Sequence, residues 1–190
     1  MDALARFLAE ESARLEELRD QLIEASRRAI KHSKNAIYAA IREDLTRASD
    51  SLAAAWVAVR ELKGIVSQAP DVCCEEIAEV ARGEVVEAEI VVRFVAEAGL
   101  PAPWELPEEV GFFPYVHGLF DATGEVLRAA TERLIKGDKE FADRAKEFIE
   151  RVYLLGLELN LKRFDLRRKL DYVSNNLQKL TEFRFQAERC

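Results

Sequence analysis

The N-terminal part of the chain is a long segment without helix-breaking residues, since no glycine or proline precedes Gly64. Between about Asp2 and Glu43 the apolar residues recur at helical steps, which predicts one long amphipathic helix. A helix of that length exceeds the usual globular range, so we expect it to be a spine for other helices or a subunit interface. Its apolar stripe consists of Leu4, Leu8, Leu15, Leu18, Leu22, Ile30 and Ile37.

The rest of the chain is also predicted to be helical, because only 8 glycines and 5 prolines occur in 190 residues. Three of these prolines fall in a loop expected from Leu100 to Gly111, where they keep the backbone out of helix. No strand-like alternation is present. Residues 1–190 are therefore predicted to form a single all-α domain of about six to seven helices. The further helices are expected at about Leu45–Val66, Val72–Ala98, Pro114–Lys136, Lys139–Leu155 and Leu161–Glu188.

The composition excludes several classes of protein. Hydrophobic residues make up 49% and charged residues 33%, which is typical of a globular domain and not of a disordered chain. The net charge of -7 leaves no global basic footprint, so a nucleic acid would have to contact a local basic face or a metal held by acids. The three cysteines do not form a disulfide framework pattern. With no signal-peptide pattern and no run of about 18 apolar residues, a cytoplasmic location is expected.

Two pairs of acidic residues are candidate metal ligands. Glu84 and Glu87 are three residues apart among large apolar residues, and Asp121 and Glu125 are four apart, so each pair shares a helix face. If the two faces met, the carboxylates would repel one another, and a divalent cation would relieve that repulsion. Oxygen ligands favour Mg²⁺ or Mn²⁺, which activate water and shield charge on a phosphate. Acid pairs at this spacing are more often ordinary solvated surface, so spacing alone leaves both interpretations open.

Two other features lie near the second pair. Gly118 and Gly124 flank Asp121, and small residues there would let a backbone or a substrate approach closely. His117, one turn before Asp121, is a candidate proton shuttle or ligand, with a structural role as the alternative. The two tryptophans are predicted to pack in the core and not to stack on bases.

Basic residues are densest in the predicted first helix. Arg27, Lys31 and Lys34 lie roughly on one face, where they would contact the phosphates of a single-stranded nucleic acid. An ordinary solvated helix face is the alternative. The candidate nucleic-acid-binding residues are Arg27, Arg28, Lys31, Lys34 and Arg42.

Three stretches of the sequence carry a family pattern. They are Ser33–Tyr38 followed by Arg42, the run Glu-Val-Val-Glu-Ala at 84–88, and the most specific one at Tyr115–Arg128. The last is similar to a Tyr-x-x-Gly-x-x-Asp-x-Thr-Gly-Glu-Leu-x-Arg pattern. Together they resemble the translin family, and specifically its branch of translin-associated factor X (TRAX). The resemblance extends over nearly the whole chain.

This resemblance implies a translin-like helical bundle that assembles into an octamer-like shell and binds single-stranded RNA or DNA. The TRAX branch supplies a Mg²⁺-dependent endoribonuclease, whose catalytic, metal-binding carboxylates correspond here to Glu84, Glu87, Asp121 and Glu125. We therefore expect a homo-oligomeric endoribonuclease that uses Mg²⁺ or Mn²⁺ to cleave single-stranded RNA, with no membrane partner. The matched stretch also favours RNA contact for Lys34.

Two other functions compete with this one. A non-catalytic, translin-type protein that binds single-stranded RNA or DNA would be favoured by loss of the acids, and all four are present. A ferritin-like di-iron bundle requires Glu-x-x-His on two helices, whereas Ala29 and Pro114 stand three residues before His32 and His117. The natural substrate, the number of metals, the subunit count and the existence of a separate translin partner stay open.

Overall fold

The fold is all-α, as the sequence predicts. The computed structural model describes residues 2–68 and 75–188, and no strand occurs within these ranges. No helix in the described ranges is long and apolar enough to cross a membrane. The predicted start of the third helix at Val72 and the three cysteines lie outside the described residues. The helices are α1 Ala3–Ile41, α2 Leu45–Gln68, α3 Glu75–Val95, α4 Phe112–Ile135, α5 Lys139–Glu158 and α6 Phe164–Glu188, with a 3₁₀ turn at Pro103–Glu105.

The prediction of one long N-terminal helix is confirmed by α1, which is 39 residues long. Asp2 caps it by accepting a hydrogen bond from the Leu4 amide at 3.4 Å. Its buried residues begin only at Leu18, and Leu4 and Leu8 are exposed. The second half of α1 is therefore the spine that the other helices contact, while the first half extends beyond the core.

Helices α3 and α4 lie at the centre of the bundle. Helix α1 packs against α2 and α3, α3 packs against α4, and α4 packs against α5 and α6. Four β-branched residues of α3 (Val85, Val86, Ile90 and Val91) are fully buried. Burial of these side chains is worth about 1.5 to 3 kcal/mol each, which outweighs their modest helix penalty of less than about 0.7 kcal/mol.

The predicted helices end at Lys136 and begin again at Lys139, and the break that this leaves at Gly137 and Asp138 is confirmed. Gly137 has a φ of +87°, in the left-handed region, and Asp138 caps α5 by accepting a hydrogen bond from the Phe141 amide at 3.0 Å. The predicted end of α5 near Leu155 is wrong, because the helix continues to Glu158.

The two tryptophans have different environments. Trp56 is buried, as predicted, and its indole nitrogen donates a hydrogen bond to Glu89 at 2.8 Å. The packing prediction for Trp104 is wrong, because 86% of its surface is exposed. Trp104 lies in the 3₁₀ turn at 103–105, where none of the three residues is buried. Connecting segments of this kind run over the protein surface.

Candidate metal and nucleic-acid site

The first acidic pair lies on α3 at the edge of the core. Glu84 and Glu87 are both partly buried, and the two residues between them are fully buried. Within the described chain Glu87 accepts no hydrogen bond and forms no salt bridge. Burial, together with the negative charges of Asp121, Glu84 and Glu125, raises the pKa of Glu87 to about 8. Burial also raises the pKa of Glu84, and the nearby charge of Lys34 on α1 partly offsets this.

The second acidic pair lies on α4 and is more accessible to solvent. Asp121 has 41% of its side chain exposed and forms a salt bridge with Lys169 of α6. Glu125 accepts a hydrogen bond from Nε of Arg128, one turn further along its own helix, at 2.8 Å, and the two side chains form a salt bridge at 2.6 Å. Both α4 carboxylates therefore have a cationic partner, whereas Glu87 on α3 has none in direct contact.

A glycine brings the two pairs to one place. A β-carbon added to Gly118 would lie 2.6 Å from the carbonyl oxygen of Gly83 and 2.8 Å from the amide nitrogen of Glu87. Only a residue without a side chain allows the backbones of α3 and α4 to approach so closely. The predicted close approach is confirmed at Gly118. At Gly124 the nearest atom is the side-chain amide nitrogen of Asn176, at 3.8 Å, so no close backbone contact occurs there.

The four candidate carboxylates are neighbours without forming a closed metal cage. The charges of Glu84, Asp121 and Glu125 each raise the pKa of Glu87, so all three carboxylates lie close enough to Glu87 to interact with it electrostatically. In the described ranges, however, no three Asp, Glu, His or Cys side chains are close enough to ligate one ion as they stand. The donor set consists of carboxylate oxygens, which suits Mg²⁺ or Mn²⁺. The oxygen chemistry therefore suits a divalent cation, but the side chains as placed do not ligate one, since Asp121 and Glu125 are paired with Lys169 and Arg128.

A cavity of about 300 Å³ opens beside this cluster. The residues that line it include Glu84, Asp121, Lys169, His117 and Asp165. The Nε2 atom of His117 lies 3.0 Å from a carboxylate oxygen of Asp165. Burial, reinforced by the charge of Lys169, lowers the pKa of His117, so its imidazole is kept neutral near pH 7. The predicted role of His117 as a shuttle or ligand stays a prediction, but its place in the cavity is established.

The basic candidates on α1 fall into two groups. Arg28 forms salt bridges with Glu61 of α2 and with Glu24 of its own helix. Arg42 donates a hydrogen bond to the Tyr38 hydroxyl and stacks over its ring at 4.0 Å. These two side chains already have partners within the chain, which makes them weaker candidates for phosphate contact.

The other three basic candidates follow one face of α1 toward the carboxylates. Arg27, Lys31 and Lys34 are exposed, and in the part of the chain that the structure describes none of them forms a hydrogen bond or a salt bridge. Lys34 lies close enough to Glu84 for its charge to lower the pKa of that carboxyl. A basic face therefore leads along α1 to the acidic cluster.

Two charged residues have surroundings that the sequence patterns do not predict. Lys169 contacts Asp121, yet it stands in a run of basic residues, which indicates a solvated face. Its place beside Leu166 and Val173, both buried, is the signal that could have placed it at the core edge. Glu89 is only 6% exposed and is held by Trp56 and Arg93, each at less than 3 Å. Glu89 is therefore a buried acid held by two donors, which the apolar run around it could have shown.

The family model described as Translin family matches residues 105–187, and no curated protein gives a significant match. The structure titled apo-NeC3PO is 35% identical over 98% of this chain and 98% of its own, with a TM-score of 0.90.

Two further structures show the same fold. AfC3PO is 26% identical, with a TM-score of 0.83, and the match covers 95% of this chain and 96% of that one. A complex of AfC3PO with duplex RNA is 23% identical, with a TM-score of 0.87 and coverage of 97% and 96%. The match to apo-NeC3PO is close and nearly complete in both chains, and the family model covers α4 to α6. The chain therefore belongs to the translin family.

Proposed function

We propose that this protein is a divalent-metal-dependent endoribonuclease that cleaves single-stranded RNA within a cytoplasmic, homo-oligomeric, octamer-like shell, as in the TRAX branch of the family. The observation that carries the proposal is the cluster of Glu84, Glu87, Asp121 and Glu125 across the close α3–α4 crossing. Burial and like charge make Glu87 hold a proton near neutral pH. A carboxyl in that situation gains most from a divalent cation, which removes the repulsion that raises its pKa.

The roles of the residues follow from their positions. When bound, Mg²⁺ or Mn²⁺ would lower the pKa of a water molecule and shield charge on the attacked phosphate. Glu87 and Glu84 would provide oxygen ligands from the buried side of the site, and Asp121 and Glu125 from the solvent side. His117 is neutral and lines the adjoining cavity, where it would accept or donate a proton near the leaving oxygen.

The basic face of α1 supports an RNA partner. Arg27, Lys31 and Lys34 would contact successive phosphates and lead the strand toward the acidic cluster. A protein of the same fold, AfC3PO, has been solved with duplex RNA, which supports RNA as the class of ligand. Lys34 is next to Glu84, so the strand would reach the carboxylates at the end of this basic face.

The proposal is tested by incubating the purified protein with a labelled single-stranded RNA in Mg²⁺, in Mn²⁺ and in chelator, and with a duplex of the same length. We expect cleavage of the single strand only when the metal is present. Glu87→Ala should abolish cleavage, and Glu132→Ala, an exposed acid on α4, should cleave like the wild type. Cleavage by Glu87→Ala at the wild-type rate would remove Glu87 from the mechanism.

The RNA surface is tested separately by anisotropy in chelator. Removing a phosphate contact should weaken binding and reduce the slope of log affinity against log salt by about one per contact. We expect this for Arg27→Ala and Lys31→Ala, with Lys139→Ala, an exposed lysine on α5, as the unaffected control. Tight RNA binding by wild type with no cleavage under any metal would instead favour the non-catalytic, translin-type function.

A further inference from the structure

Lys169 is the one cation that reaches into the acidic cluster from another helix with a direct salt bridge, within the residues that the structure describes. It lies on α6, has 27% of its side chain exposed and contacts Asp121 on α4. Its charge also acts on Glu84 and Glu87 of α3. The ammonium group therefore lies among carboxylates of two helices while being anchored on a third.

The other cationic groups around the cluster, in the described part of the chain, do not form a salt bridge with its carboxylates from a different helix. The guanidinium of Arg128 belongs to the same helix as its partner Glu125, and Arg163 is held by Asp165. Lys34 lies near Glu84 without a salt bridge to it. A lysine ammonium is a compact point charge on a flexible stem, so it can enter and leave a carboxylate cluster without rearrangement of the helices.

From this placement we propose that Lys169 is the resident counter-ion of the metal-free carboxylate cluster, and that a divalent cation must displace its ammonium from Asp121 to bind. The proposal rests on the metal site of the proposed function. It assigns Lys169 a positioning role: the lysine occupies the Asp121 carboxylate before metal arrives, and it sets how much metal is needed to take its place.

A counter-ion and a merely structural lysine have opposite effects on metal binding. If Lys169 competes with the metal, its neutralisation should tighten metal binding, because one positive charge is removed from beside a divalent ion. The same change should destabilise the metal-free protein, because the carboxylates lose their partner. A structural lysine, in contrast, would on removal lower stability and weaken metal binding together.

The test uses the full chain and Mn²⁺ alone as the probe, with binding followed by electron paramagnetic resonance or calorimetry. Lys169→Met keeps the apolar stem and removes the charge. Lys169→Arg keeps the charge, on a guanidinium group that can form a bidentate salt bridge with a carboxylate. Lys179→Met, at an exposed position of the same helix, is the matched control. Thermal unfolding of each variant in chelator and in saturating Mn²⁺ supplies the second measurement.

We expect Lys169→Met to bind Mn²⁺ more tightly, by roughly tenfold, and to unfold at a lower temperature in chelator. Lys169→Arg should bind Mn²⁺ no more tightly than the wild type, and Lys179→Met should match the wild type in both measurements. If the wild type binds Mn²⁺ and Lys169→Met binds it equally or more weakly, the counter-ion role is overturned while the metal site stands. If the wild type binds no Mn²⁺, the metal site itself fails and the inference fails with it.

Discussion

Replacement of Glu87 by glutamine should change how the stability of the metal-free protein depends on pH. Glu87 has an ordinary pKa of 4.5, and in the folded chain burial and three neighbouring carboxylates raise it to about 8. Between these two pH values the folded protein holds a proton that the unfolded chain has released. The free energy of unfolding therefore falls as pH rises through this window, and the fall ends once pH exceeds the folded pKa.

The size of the effect follows from the same shift. A group protonated in the folded state alone contributes at most about 1.4 kcal/mol per pH unit. Between about pH 5.5 and 7.5 the wild type should thus lose about 2 to 3 kcal/mol through Glu87 alone. Glu87→Gln keeps the shape of the side chain and cannot ionise, so this part of the slope should disappear. The variant should then be the more stable protein near pH 7.5.

Urea denaturation in chelator, at fixed protein concentration and a series of pH values, measures this slope. Glu132→Gln, at an exposed position of α4, should follow the wild-type curve. The reasoning about Glu87 is refuted if the wild-type and Glu87→Gln curves run parallel between about pH 5.5 and 7.5.

Three further outcomes are expected. Gly118→Ala should destabilise the protein by about 1 to 3 kcal/mol, because its β-carbon would meet the α3 backbone at under 3 Å. Gly124→Ala should be neutral or stabilising by up to about 1 kcal/mol. Equal denaturation midpoints for the two variants would contradict the close crossing of α3 and α4. Trp56→Phe should lower the free energy of unfolding, measured by urea denaturation, by about 1.5 to 3 kcal/mol, because buried Glu89 loses an indole N–H donor at 2.8 Å. A decrease below about 0.5 kcal/mol would show that this hydrogen bond is dispensable. Saturating Mg²⁺ should raise the unfolding temperature more at about pH 8 than at pH 6, because metal binding to Glu87 displaces a proton; a shift that does not vary with pH would speak against Glu87 as a ligand.

The helices were predictable because their signals are local. Periodic apolar residues, the glycine and aspartate at 137–138 and the proline-rich loop before α4 each act over a few residues, and each predicts an element that the structure contains. The C-terminal end of α5 and the surface position of Trp104 were not predictable in this way. They depend on which distant helix covers a residue, and helical periodicity does not contain that information.

The candidate site was predictable in its residues and only partly in its geometry. Spacing predicts that Glu84 shares a face with Glu87, and the glycine at 118 indicates a close approach. The partner of that approach, α3, could not be identified from local pattern. Lys169 lies 48 residues after Asp121, and nothing near either residue indicates that they meet. The contacts that complete a site between helices are of this long-range kind.

The position of a bound cation is the most direct test of the metal site. Crystals of the protein soaked in Mn²⁺ should give an anomalous diffraction peak between α3 and α4, with oxygens of Glu87 and Asp121 at about 2.1 Å from it, and Lys169 turned away from Asp121. A fully soaked crystal with no peak at this place, and with the four carboxylates directed separately into solvent, would contradict the assignment of these residues to a metal centre.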